Sequence, residues 1–177
     1  MSASEGLGKV HVITGPGKGK TTAAFGLAMR AAGHGLKVYV IQFMKTGETT
    51  GEVLFSRKAG GIDVMQFGTG GFVDPKHITD EDRASMRDAL DRAREVLTKG
   101  DCSLVVLDEI NTAVSFGLVR SEEVLSLLKS RREGTEVVLT GRNAPVEFIE
   151  YADYVSMIES RKNPFDEGHE GRKGIEW

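Results

Sequence analysis

The sequence predicts an α/β fold, a doubly wound and mostly parallel sheet of about six strands with helices on both faces. Three observations predict it. Short apolar runs alternate with amphipathic stretches along the whole chain. Residues 10–14 and 37–43 bracket a helical stretch in a strand–helix–strand unit of about 33 residues, the size of a parallel crossover. Glycine-rich polar segments follow the apolar runs, at the strand ends where such sheets bind ligands.

Taken in order, Val10-His11-Val12-Ile13-Thr14 is the first strand, ended by a glycine cluster. Residues 19–32 read as a helix, because Ala23, Ala24, Leu27, Ala28 and Ala31 recur at helical spacing. Gly33-His34-Gly35 stops it, since glycine adopts the left-handed cap conformation cheaply. Residues 37–43 form the second strand. A polar loop covers 44–52, and 51–59 carry a weak helical pattern. Residues 62–67 form the third strand, and the loop Gly68-Thr69-Gly70-Gly71-Phe72-Val73-Asp74-Pro75 follows. Thr79 with Asp82 makes a capping-box start to a long helix. Its Met86, Ala89, Leu90, Ala93, Val96 and Leu97 share one face, and Gly100 ends it. Residues 103–107 are continuously apolar, as a central parallel strand requires. Ser121 is read as the cap of another helix, with Glu122 and Glu123 well placed for its dipole. Residues 136–139 form the next strand and 153–158 a last apolar strand. The polar tail, 159–177, is expected to be ordered by contacts rather than by regular structure.

The chain has 177 residues, which suits a single domain over 1–177 with a substantial core. Residues 1–9 are expected to be flexible and the tail to lie near the active site. Its 40% hydrophobic and 28% charged content are ordinary for a soluble protein. A net charge of −3 gives no support for a nucleic-acid partner. Cys102 is the one cysteine, which excludes an intrachain disulfide and disfavours a multi-cysteine zinc site. The chain reads as cytoplasmic. No secretory signal is seen, and no apolar run reaches the roughly 18–20 residues that span a bilayer. His11, His34, His77 and His169 lack metal-ligand spacing.

The strongest motif is Gly15-Pro16-Gly17-Lys18-Gly19-Lys20-Thr21-Thr22. A glycine-rich loop after a buried strand turns backbone N–H groups inward, and the next helix adds its positive end, so an anionic phosphate is held. Lys20 adds a full charge and Thr21 a hydroxyl for magnesium. A glycine turn that merely joins strand to helix is the plainer reading. The Gly-Lys-Thr-Thr run at a strand–loop–helix junction argues against it, and the sheet is accordingly of the P-loop NTPase or RecA-like kind. The usual spacing is G-x-x-x-x-G-K-[ST], yet counting back from Gly19 lands on Thr14, so the first glycine is absent and Gly15 sits one place late. Asp108-Glu109 follow the strand at 103–107. A carboxylate there holds magnesium directly or through water, unless the two are a solvated pair or a helix cap. Adjacent residues at a strand end point oppositely, so which of them faces a metal stays open. Thr140-Gly141-Arg142 is either a phosphate contact, a clamp on a neighbouring loop, or a plain turn with an exposed arginine. Phe72 either packs on a flat cofactor or anchors its own loop. Cys102, before a buried strand, reads as structural. On chemistry alone, ATP or GTP with magnesium binds beside an unidentified second site, and hydrolase, kinase, nucleotidyl transfer and adenosyl transfer all remain open.

Six segments in order resemble the P-loop corrinoid adenosyltransferases (ATP:cob(I)alamin adenosyltransferase). They are Gly15 through Gly26, Arg30-Ala31-Ala32-Gly33-His34-Gly35, Gln42-Phe43-Met44-Lys45, Leu107-Asp108-Glu109-Ile110, Leu139-Thr140-Gly141-Arg142, and the ending from Asn163-Pro164-Phe165 to Lys173-Gly174-Ile175-Glu176-Trp177. The shifted phosphate loop is itself similar to the family's. The resemblance implies transfer of the 5′-deoxyadenosyl group of ATP to the Co(I) centre of a corrinoid such as cobalamin, with triphosphate leaving. It implies ATP bound by Gly15, Pro16, Gly17, Lys18, Gly19, Lys20, Thr21 and Thr22, with Arg30 and Arg142 nearby. It implies magnesium handled by Thr21 with Asp108 or Glu109, and Lys20, Thr21 and Glu109 as the working residues. Gly71 and Phe72 would meet the corrinoid, Phe72 matching an aromatic held to displace its lower ligand. A flavoprotein electron donor and a homodimer are implied as partners. Two departures stand out: Asp74 occupies a place where well-known bacterial members carry tryptophan, and about nine residues precede the first strand where they carry more. The rivals are a P-loop ATPase or small-molecule kinase, or a nucleotide-dependent module that binds a corrinoid without chemistry.

Overall fold

The computed structural model describes residues 6–47 and 49–176. Residues 1–5, part of the start expected to be flexible, lie outside the described residues, as does Trp177 of the family-like ending. Among the described residues there are six strands in one sheet, β1 (Val10–Thr14), β2 (Val38–Phe43), β3 (Ile62–Phe67), β4 (Leu104–Asp108), β5 (Glu136–Thr140) and β6 (Tyr154–Met157). The helices are α1 (Lys20–Gly33), α2 (Gly51–Ala59), α3 (Asp80–Lys99), α4 (Ile110–Ser115), α5 (Ser121–Lys129) and α6 (Val146–Tyr151). Strand order is β3-β2-β4-β5-β1-β6, and every ladder is parallel. The sheet is doubly wound, as the alternation of apolar and amphipathic segments predicts.

Alternate residues of the buried strands feed two cores, as the period of a strand requires. On one face Ala24 and Ala28 of α1 pack on Val38, Val40, Ile62, Leu104, Val106 and Val138. On the other, Val105, Leu107, Val137 and Leu139 meet Met86, Ala89, Ala93 and Leu97 of α3 and Val124 and Leu128 of α5. Both faces are therefore covered, which is why β4 and β5 read as unbroken apolar runs.

The start of α3 is a true capping box: Thr79 Oγ1 accepts the Asp82 N–H, and Asp82 Oδ2 accepts the Thr79 N–H. Asp82 also accepts a bond from Thr69 Oγ1 at 2.7 Å, tying the loop after β3 to the helix. Gly8 and Lys9 both donate to Glu136 Oε2, and Lys9 pairs with Asp153.

Four expectations need correction. The fourth strand begins at Leu104 and includes Asp108, because Gln42 on β2 pairs with it in the ladder. The cap of α5 is Arg120, not Ser121; the Arg120 N–H donates to Glu123 Oε2. The last strand is shorter than 153–158: β6 spans Tyr154–Met157 and is an edge strand whose residues are exposed. The tail contains a 3₁₀ turn, Pro164–Glu167, capped by Asn163. The short helices α4 and α6 carry no sequence signal strong enough to announce them. No described helix is long and apolar enough to cross a membrane.

Candidate functional site

The phosphate loop leaves β1 at Thr14, which is buried and whose Oγ1 accepts the Ala144 N–H at 3.2 Å. Thr14 thus braces the loop where a first glycine is usual. Gly15 (φ +104) and Gly19 (φ +115) hold left-handed conformations, which glycine tolerates. A Cβ on Gly15 would collide with Ile158 O, and one on Gly17 would lie 2.6 Å from Glu159 O. The loop therefore leans on the backbone that leaves β6, and the Gly17 N–H donates to Ile158 O at 2.8 Å.

Lys20 opens α1 and is only 7% exposed. Its Nζ donates to Gly15 O at 2.8 Å and Gly17 O at 2.7 Å. These contacts curl the loop around the ammonium. Burial lowers the Lys20 pKa, Glu109 opposes that, and the Arg142 charge adds to it. Pro16 and Lys18 of the loop and Thr22 in the first turn of α1 are exposed. Lys18 pairs with Glu176 of the tail at 2.6 Å.

Asp108 is fully buried at the end of β4. Its Oδ1 accepts from Thr21 Oγ1 (2.9 Å) and Thr140 Oγ1 (2.6 Å). Its Oδ2 accepts from Gln42 Nε2 (2.9 Å) and Lys45 Nζ (2.7 Å). A carboxylate has about four lone-pair sites, and here all are taken. Burial alone would raise the Asp108 pKa, but the Lys45 charge and the hydrogen bonds from Lys45, Thr140 and Gln42 hold it below the usual carboxylate range. Burial also works against the Lys45 charge, and Asp108 more than offsets it, so the Lys45 pKa is raised.

Glu109 differs in kind. It caps α4 with φ +67, so the chain turns sharply directly after Asp108. Its Oε2 accepts from Thr112 Oγ1 at 2.6 Å, while Oε1 takes no bond from the described residues. The Thr112 hydroxyl in turn accepts the Arg142 N–H at 2.9 Å. The turn Thr140-Gly141-Arg142 is thereby a clamp. Thr140 accepts the Glu109 N–H at 2.9 Å, and a Cβ on Gly141 would come within 2.7 Å of Thr112. Arg142 itself is exposed.

Strain concentrates here. The three non-glycine residues with positive φ among those described, Met44, Glu109 and Asn143, each follow a strand, β2, β4 or β5, at its carboxyl end. Such strain is usually kept where a site needs it.

The structure therefore brings together Gly15, Gly17, Gly19, Lys20, Thr21, Asp108, Glu109 and the Arg142 turn. Arg30 does not join them; it is exposed in the last turn of α1, ten residues or about 15 Å of helix rise from Lys20. Gly71 and Phe72 lie on a separate loop. Phe72 is 92% exposed while the next residue, Val73, is buried at 8%. The loop's anchor is Val73, and Phe72 is left free.

Sequence reasoning gave no part in the site to Gln42, Lys45 or Thr112. Gln42 and Lys45 stand in one of the six family-like segments, but no role is read for either; the further signal is that they are polar residues at the end of an apolar strand beside the one that carries the carboxylate. A cavity of about 300 Å³ opens beside Thr21, Thr22, Phe25 and Lys45, and Glu52 and Ile175 also line it. Among the described residues no three His, Cys, Asp or Glu side chains converge. A divalent ion would take oxygen donors from Thr21 and Glu109 and the rest from phosphate and water, a donor set that suits magnesium.

A family model described as ATP:corrinoid adenosyltransferase BtuR/CobO/CobP matches residues 6–177. A Sinorhizobium sp. protein named corrinoid adenosyltransferase is 40% identical over 173 residues, covering 96% of this chain and 80% of its own. The corrinoid adenosyltransferase of Escherichia coli (strain K12) is 36% identical over 175 residues, 99% of this chain and 88% of its own. Corrinoid adenosyltransferase CobA of Salmonella typhimurium is 35% identical over the same shares.

Proposed function

The chain belongs to the ATP:corrinoid adenosyltransferase family, and from that we infer that it transfers the 5′-deoxyadenosyl group of ATP to the Co(I) centre of a corrinoid. The cobalt–carbon bond forms as the bond from C5′ to the triphosphate oxygen breaks. Triphosphate leaves with that electron pair. The observation that carries this reading of the site is the bond from Thr21 to Asp108 at 2.9 Å, which joins the phosphate loop to the carboxylate strand.

In this reading the loop from Gly15 to Thr22 holds the triphosphate as a leaving group. Its N–H groups and the Lys20 ammonium favour the charge that grows there. Bound magnesium would add positive charge to the same oxygens. Glu109, with one oxygen that takes no bond from the described residues, and the Thr21 hydroxyl would hold it. Asp108 is the anchor behind them, fixing the Thr21 hydroxyl as a partner behind a metal ligand does. Arg142 adds charge near Lys20, and Arg30 stands outside the set. Gly71 and Phe72 would meet the corrinoid from their loop, the exposed ring of Phe72 being available for a flat macrocycle. The nucleophile belongs to the corrinoid, so the protein's task is to bind, orient and neutralise charge. A flavoprotein electron donor, a homodimer and a cytoplasmic setting complete the proposal, on the family resemblance.

The test is to mix protein, ATP, magnesium and a chemically reduced corrinoid. A light-sensitive alkylcobalt spectrum with stoichiometric triphosphate is expected. Phosphate or diphosphate as the main product, with no alkylcobalt spectrum, would reject the reading in favour of an ATPase or kinase.

A further inference from the structure

Lys45 sits where nothing in the motif logic of a phosphate loop requires a lysine. It is the second residue after β2. Its N–H donates to Phe67 O on β3 at 3.2 Å, and Met44 before it turns the chain with φ +55. A Cβ on Gly68 would lie 2.9 Å from the Lys45 nitrogen, so the glycine lets the two strand ends close on each other. The side chain is thus launched from a fixed backbone. Its ammonium reaches Asp108 Oδ2 at 2.7 Å and donates to Thr21 Oγ1 at 3.1 Å. Thr21 closes the ring by donating to Asp108 Oδ1 at 2.9 Å.

A hydroxyl has one proton and two lone pairs. The Thr21 proton is committed to Asp108, and Lys45 takes one lone pair on the side of the cavity that both residues line. A divalent ion approaching Thr21 from that cavity meets a positive charge already in contact with it. At such separations like charges repel strongly even where water screens them. A metal accompanied by a triphosphate brings its own negative charge and meets no such barrier.

We propose that Lys45 is the resident cation of the nucleotide-free site. Its ammonium holds Thr21 and Asp108 in place, keeps free divalent ions away, and turns to the phosphates when metal and triphosphate arrive together. Lys45 is then a positioning residue that makes metal loading depend on nucleotide. This rests on the reading of Thr21 as a metal neighbour.

The experiment is Mn²⁺ binding followed by electron paramagnetic resonance, with and without ATP, for the wild-type protein, Lys45→Gln and Lys45→Arg. Without ATP, Lys45→Gln is expected to bind Mn²⁺ at least about tenfold tighter than wild type, while Lys45→Arg stays close to wild type. With ATP the advantage of Lys45→Gln should vanish or reverse. A merely structural role would weaken metal binding in both variants, never tighten it. Unchanged or weaker Mn²⁺ binding by nucleotide-free Lys45→Gln, alongside normal Mn²⁺ uptake by wild type with ATP, overturns the resident cation alone. No Mn²⁺ uptake by wild type with ATP overturns the reading of the site beneath it. Should Lys45→Gln not fold, the ¹⁵N signal of the Lys45 ammonium in the unaltered protein decides. It should move with magnesium and ATP together and stay still with millimolar magnesium alone; the same response to both rejects the proposal.

Discussion

Asp108 has no exposed surface and four hydrogen-bond donors. A carboxylate so placed is stabilised only by its partners, and its partners depend equally on it. Removing one member of a buried ion pair typically costs about 3–5 kcal/mol, because the other charge is left without compensation. Asp108→Ala should therefore lower the unfolding free energy by an amount in that range, read as a lower denaturant midpoint at unchanged slope. The pH dependence has a definite sign. The Asp108 pKa is lower in the folded protein than its ordinary value, so its contribution is complete above the unfolded value of about 3.9 and is lost as pH falls toward the folded one. Wild type should lose stability as pH drops below about 4, and Asp108→Asn should lack that part of the acid slope. Equal acid slopes in the two proteins would mean that the charge of Asp108 is not what Lys45 and its neighbours hold. None of this was legible at residue level. The pair Asp108-Glu109 announced a carboxylate site, but two adjacent acids look alike in a sequence. Their roles separate only because one ends a strand and the other turns with positive φ.

At the scale of elements, the strands were legible because burial on both faces forces apolar runs, and α3 because its capping box and apolar face agree. The six-residue helices α4 and α6 were not, since about one and a half turns leave no periodicity to read. The phosphate loop was legible as a motif. The contacts that complete it were not: Thr21 and Asp108 are 87 positions apart and Lys45 and Asp108 are 63 apart, so only the sheet order joins them. The loop at residues 68–75 shows the same limit. Its two apolar residues are adjacent, and the sequence could not tell the anchor from the free ring. With Val73 buried and Phe72 exposed, the two should separate by experiment. Val73→Ala should cost about 1–2 kcal/mol of stability through lost burial, and Phe72→Ala less than about 0.5 kcal/mol. Phe72→Ala should nevertheless slow adenosylation that starts from the Co(II) corrinoid more than the reaction of pre-formed Co(I). Equal slowing of the two would remove Phe72 from lower-ligand displacement.

Across the whole molecule, the sheet order sets β5 between the loop strand β1 and the carboxylate strand β4, and the chain's end returns to its beginning. Glu176 reaches Lys18 across 158 positions. Arg172 first, and Lys18 after it, push the Glu176 carboxyl down to about 2. The Glu176 carboxylate is therefore ionised near neutrality, and one depressed so far loses its charge only in strong acid. Salt, not pH, is the lever on an exposed pair. The geometry sets a competition, since Lys18 belongs to the loop that would take a triphosphate, and Glu176 lines the same cavity as Thr21 and Thr22. A tethered carboxylate and an incoming phosphate cannot both hold one ammonium at full strength. Glu176→Gln should then bind ATP more tightly at low salt, by no more than about fivefold, because exposed pairs are weak. The gain should shrink as salt rises, since screening weakens the tail's grip in the wild-type protein as well. Calorimetric titration with ATP at two ionic strengths measures both effects. Weaker ATP binding by Glu176→Gln would reverse the argument and make the tail a part of the nucleotide's grip rather than its rival for Lys18.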